Sequence, residues 1–101
     1  MKKVIDNRMY NTETAAKLCA VDNGFPIDTY YYEIETLYRK INGEYFLVGE
    51  GGEISKYGTI VGSEVQQGVQ FIPLALGEAK KWVAEHFDGD TYVNLFGDVD
   101  E

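Results

Sequence analysis

Residues 35–58 read ETLYRKINGEYFLVGEGGEISKYG. Two runs of aromatic, aliphatic and β-branched residues flank Asn42-Gly43, a pair that accepts left-handed backbone, so the segment folds back on itself as a β-hairpin. The first strand extends over Thr29 to Arg39 and the second over Glu44 to Val48. A two-residue turn places Tyr38 opposite Leu47, and a three-residue turn with a glycine bulge places it opposite Phe46. Ile34, Thr36 and Tyr38 occupy one face and Leu37 the other, so the hairpin is covered on both sides or central in its sheet. Gly49, Gly51 and Gly52 are expected to stop regular pairing, because glycine weakens strand interiors.

Upstream, Lys3 to Tyr10 reads as a strand, bent near Asp6-Asn7. A helix is expected to start at Asn11 or Thr12, where either residue can cap, with Glu13 in its first turn and Ala15, Leu18 and Cys19 on one face. Asp22-Asn23-Gly24 ends it. Downstream, Thr59 to Val61 reads as a short strand, Val65 to Gly68 as a loop and Val69 to Leu74 as a strand limited at its end by Pro73. A second helix over Ala75 to Phe87 sets Ala79, Trp82, Val83, His86 and Phe87 at spacings of three and four, and Asp88-Gly89 terminates it. The alternation of Tyr92, Asn94 and Phe96 against Val93 and Leu95 predicts a last strand over Thr91 to Phe96. The expected fold is α+β: two helices on a largely antiparallel sheet of four to five strands, in the order β-α-β-β-(β)-β-α-β.

The 101 residues suit one globular domain with one core. Hydrophobic residues make up 45%, including eight Tyr and five Phe, which excludes a disordered chain. Nine Lys and Arg against seventeen Asp and Glu give a net charge of -8. That excess repels phosphate backbones and anionic membranes, so the expected partner is a protein with a basic surface, not nucleic acid or membrane. One cysteine, Cys19, rules out an internal disulfide, and Asp6, Asn7 and Arg8 interrupt any apolar run behind the N-terminal lysines, so the chain reads as cytosolic.

Catalytic chemistry finds little support. His86 is the only histidine, lies beside Trp82 on the helix, and has no Ser, Cys or Asp partner at a recognisable spacing. Cys19 reads as a buried small hydrophobe. Gly49 to Glu53 with Lys56 lacks the G-x-x-x-x-G-K-[ST] order of a phosphate loop. No catalytic residue, metal ligand or cofactor site is expected, and the chain reads as a non-enzyme. Glu33 and Glu35 at period two, and Glu50 and Glu53 in the loop, read either as a solvated face or as an acidic contact surface; in the second case Tyr31 of the Tyr30-Tyr31-Tyr32 run, which otherwise covers the first helix, is its aromatic edge and Asp98, Asp100 and Glu101 an acidic tail. An unpaired strand edge beside the hairpin would permit a homodimer.

Several short blocks recur in a familiar order: Met9-Tyr10-Asn11-Thr12-Glu13-Thr14-Ala15, Glu35-Thr36-Leu37-Tyr38-Arg39-Lys40, Glu44-Tyr45-Phe46-Leu47, Gly49-Glu50-Gly51-Gly52, Ser55-Lys56-Tyr57, Ile72-Pro73-Leu74, Glu78-Ala79-Lys80-Lys81-Trp82 and Phe96-Gly97. Together they resemble a family of small acidic proteins from phages and integrative elements of Gram-positive bacteria, a group associated with anti-CRISPR activity against type II-A Cas9. Ala75 and Gly77 depart from that pattern, which carries Thr or Ser and then Glu. The resemblance implies a stoichiometric inhibitor that binds Cas9 or its guide RNA complex through acidic groups and competes with nucleic acid. The alternative is a regulatory or accessory protein-binding module of a mobile element that never touches Cas9.

Overall fold

The computed structural model describes residues 1–101. Its elements are β1 (Lys2–Ile5), β2 (Arg8–Asn11), β3 (Ala16–Asp22), β4 (Glu33–Arg39), β5 (Tyr45–Gly51), β6 (Thr59–Val61), β7 (Glu64–Gln66), β8 (Gly68–Leu74), α1 (Leu76–His86) and α2 (Gly89–Phe96). Two helices pack on a four-stranded antiparallel sheet of order β3-β4-β5-β8, and β1-β2 and β6-β7 form two separate hairpins. The α+β class is the expected one. Two elements, however, have the opposite type to that expected.

The expected first helix is strand β3. Its capping chemistry is present: Glu13 N–H donates to Asn11 Oδ1 at 2.9 Å and Ala15 N–H to the Asn11 carbonyl at 3.1 Å. The turn stops there, because pairing with β4 from Ala16↔Arg39 to Asp22↔Ile34 satisfies the backbone that a helix would otherwise have to satisfy. A bulge between Lys17 and Cys19 interrupts the alternation, and Leu18 and Cys19 both pack toward the helical layer. The expected last strand is helix α2. Asp88 caps it, accepting from Thr91 N–H at 2.9 Å, and Tyr92, Leu95 and Phe96 face the core at helical spacing.

The central hairpin follows the three-residue alternative. Tyr38 pairs with Phe46 and Arg39 with Tyr45, and Gly43 closes the turn with a φ of 91°. β5 does not stop at its glycines: it runs through Gly51, which pairs with Glu33 on one side and Gly68 on the other. Asp6 and Asn7 are not a bend but a two-residue turn, both at positive φ, between Ile5 and Arg8. Val65 and Gln66, expected in a loop, belong to β7, which pairs with β6 across Gly62-Ser63.

Both faces of β4 and β5 are covered. On one, the row Cys19, Leu37, Leu47 and Ile72 lies beneath Ala79, Trp82 and Val83 of α1. On the other, Phe46 and Val48 form a second core with Tyr10 of the β1-β2 hairpin, and the Tyr38 and Phe46 rings stack at 5.2 Å. The outer strands remain unpaired at their far edges: β3 carries Lys17 and the bulge, β8 carries Pro73, and both features discourage further pairing. The chain measures 50 × 33 × 19 Å with a radius of gyration of 14.8 Å, against about 13 Å for a compact domain of this length. No helix is long and apolar enough to cross a membrane.

Candidate partner-binding end

At the end of the sheet marked by Glu33, Gly51 and Gly68, residues 52–58 join the last turn of α1 on the helical side. Glycine makes this possible. A Cβ at Gly49 would lie 2.1 Å from Tyr57 Cζ, so the bare backbone leaves the space that the Tyr57 ring fills. The neighbouring loop is tied down by backbone bonds: Gly52 N–H donates to the Tyr32 carbonyl at 3.0 Å and Ile54 N–H to the Tyr30 carbonyl at 2.9 Å. Asn23 adds a clasp, its Nδ2 donating to the Tyr31 carbonyl and its Oδ1 accepting from Glu33 N–H.

Glu35 lies beneath this cover and is not the exposed contact residue expected from the strand pattern. Its side chain points into the helical layer, where Oε1 accepts from Trp82 Nε1 at 3.0 Å, and Oε2 accepts from the Tyr57 hydroxyl and from Lys56 Nζ at 2.8 Å. Burial alone would raise its pKa. The hydrogen bonds from Lys56, Tyr57 and Trp82 and the Lys56 charge outweigh burial and hold it at about 2. The Tyr57 phenol is pushed up, first by burial and then by its bond to Glu35. A carboxyl so committed stays ionised at neutral pH and cannot serve as a proton donor there. It joins β4, α1 and the loop instead.

Four other expected residues do meet at this end. Tyr31 is exposed, and Glu33, Glu50 and Glu53 are half-buried with no ion-pair partner. They are not on one flat surface. Glu33 faces the helical side and accepts from Lys56 N–H at 2.9 Å, whereas Glu50 pairs with Ile34 and faces the opposite side, where its charge, after burial, raises the Tyr38 phenol. Asp98, Asp100 and Glu101 are exposed, and Val99 between them lines a cavity of about 350 Å³ with Phe87, Gly89, Tyr92 and Val93 at the α1-α2 junction, next to His86, which shares a surface pocket with Glu33.

Residues not singled out from the sequence complete this end. Asp22, Asp28 and Glu64 bring its carboxylates, apart from the buried Glu35, to six, with Lys56 the one cation among them. The β6-β7 hairpin is exposed along its whole length, and Ile60, 75% exposed, sits opposite Val65, 52% exposed, on one face. Tyr30, Phe25 and Ile27 are also exposed. Acidic groups around unburied aromatic and aliphatic side chains have the composition of a protein contact surface.

His86 Nδ1 lies 2.8 Å from the Trp82 carbonyl oxygen and its ring packs on the indole at 4.9 Å, a helix-end arrangement. Cys19 is half-buried and burial raises its thiol pKa. No three His, Cys, Asp or Glu side chains gather where they could hold a metal ion. No protein-family model, curated protein or solved structure matches the chain.

Proposed function

We propose that this chain is a non-enzymatic binding protein whose acidic end covers a basic, nucleic-acid-contacting surface of a partner protein. Following the family resemblance, the partner is a type II-A Cas9 loaded with guide RNA, and the effect is stoichiometric inhibition in the bacterial cytoplasm. The observation that carries this reading is that Glu33, Glu50, Glu53 and Glu64, none in an ion pair, belong to one end of the sheet, on both of its faces, together with the exposed Tyr30, Tyr31 and Ile60. Carboxylates free of internal cations can replace phosphates on arginines and lysines, and the apolar groups supply the desolvated contact that charge alone does not. The acidic surface assigned to this task omits Glu35, which is internal, and rests on no residue of the C-terminal tail.

The test is cleavage of a matched target by Cas9 and guide RNA with the chain added in stoichiometric amounts. Inhibition is expected, and charge reversal of Glu33, Glu50, Glu53 and Glu64 together is expected to abolish it while leaving the circular dichroism spectrum unchanged. Inhibition by the reversed variant would remove the acidic end from the mechanism. No capture of Cas9 by the wild-type chain would leave the accessory-module reading in its place.

A further inference from the structure

The opposite end of the molecule has the opposite charge. Residues 1–17 and 39–44 hold six of the nine cations, Lys2, Lys3, Arg8, Lys17, Arg39 and Lys40, and three of the seventeen carboxylates, Asp6, Glu13 and Glu44; Glu78, bonded to the Ala75 N–H beside Glu44 and Tyr45, is a fourth at this end. The fold brings these separate segments together. β2 lies against the β4-β5 turn, Lys40 Nζ sits 3.7 Å above the Tyr10 ring, and Arg8 reaches Glu44. Between them is an open groove of about 650 Å³, lined on its polar side by Arg8, Asn11, Lys40, Asn42 and Glu44.

The groove already grips an anion. Arg8 Nη1, Lys40 Nζ at 3.1 Å and Asn42 Nδ2 at 3.0 Å all donate to the Glu44 carboxylate, whose side chain is 36% exposed. Three converging donors, two of them cationic, suit a phosphate as well as a carboxylate. More cations extend along the same end: Lys2 pairs with Asn11, Lys3 with Tyr10, and Ala16, beside Lys17, with Arg39. A single ion has no use for them, whereas a polymer with a charge at every residue does.

We propose that this basic end binds the phosphodiester backbone of a nucleic-acid strand, with Arg8 and Lys40 as the central contacts and Glu44 as an internal competitor for them. The net charge of -8 averages over two poles that a strand meets separately. Arg39 and Glu33 are the two ends of β4, which sets them about 20 Å apart. That is more than twice the screening length of about 8 Å at physiological ionic strength. Phosphates at the basic end therefore feel Arg8, Lys40 and their neighbours, with the distant carboxylates attenuated. The proposal does not depend on the acidic end having a protein partner.

Fluorescence anisotropy of the isolated full chain with a labelled single-stranded RNA of about 20 nucleotides tests it. Binding is expected at low salt, with affinity falling in a log-log plot at a slope of about -2 if some three phosphates are neutralised. Arg8→Glu combined with Lys3→Glu is expected to weaken binding at least about tenfold. Glu44→Gln is expected to tighten it by freeing the donors, and Lys81→Glu on α1 to leave it unchanged. Circular dichroism of each variant checks folding. Absence of binding by both the wild type and Glu44→Gln would overturn the proposal. So would equal losses for Lys81→Glu and the Arg8 variant, or stronger competition from polyglutamate than from unlabelled RNA, which would assign the groove to acidic protein segments.

Discussion

Tyr57 fills the space that a side chain at Gly49 would need, and its hydroxyl meets Glu35, the residue paired with Gly49 across the sheet. One glycine, one tyrosine and one carboxylate thus lock the loop of residues 52–58 to the strands beneath it. Gly49→Ala should force the ring out and destabilise the fold by about 1–3 kcal/mol, the usual range for overpacking. Urea denaturation measures this as a lower midpoint. Combined with Tyr57→Ala, the penalty should be smaller than the sum of the two single changes, since the clash exists only when both side chains are present.

Acid should act on the same locus. Glu35 has its folded pKa lowered to about 2 from an ordinary 4.5, so its contribution to stability is fully present above about pH 4.5 and is lost as pH falls toward 2. After allowance for the half-exposed Lys56 partner, that contribution is about 2 kcal/mol. Thermal melts of wild type and Glu35→Gln should differ at neutral pH and converge near pH 2. A constant difference across that window would show that Glu35 does not act through its charge.

α2 depends on a polar cap that α1 lacks. Asp88 accepts from both the amide and the hydroxyl of Thr91, and its carboxyl pKa is held below the usual range, first by the amide bond. At the start of α1, Ala75 offers no side-chain acceptor, and Glu78 reaches back to its N–H at 2.9 Å. Asp88→Ala should destabilise α2 by removing the acceptor for Thr91 N–H. Hydrogen exchange should quicken in residues 89–96 before it does in β4.

The β6-β7 hairpin should separate binding from stability. Ile60 and Val65 touch no core cluster, so Ile60→Asp with Val65→Asp should shift the unfolding free energy by less than about 0.5 kcal/mol per site. The same pair of changes should weaken capture of the partner. Unaltered capture would exclude the hairpin from the interface.

The central hairpin was legible because its signals are local: Asn42-Gly43 supplies the turn, and the flanking alternation fixes the faces. β3 was not. Its alanines favour a helix and Asn11 caps a first turn, but the pairing of Val21 with Glu35 and of Cys19 with Leu37 depends on residues far along the chain. α2 is hidden for a different reason: over six residues, alternation and helical spacing both bring apolar side chains to one side, and Asp88-Gly89 marks the end of one helix as well as the start of the next. Within the site, Glu33, Glu50, Glu53 and Tyr31 were identifiable from charge and aromatic clustering. The loss of Glu35 to the interior was not, because Trp82 and Tyr57, which hold it there, approach from elements 47 and 22 residues away. The basic end was hidden by averaging, since its cations come from segments that only the fold joins.

A molecule positive at one extremity and negative at the other experiences a torque near any charged body. It is turned before it touches, so productive collisions form a larger share of all encounters. Substitutions at the pole that never enters the interface should therefore alter association while leaving dissociation almost unaltered.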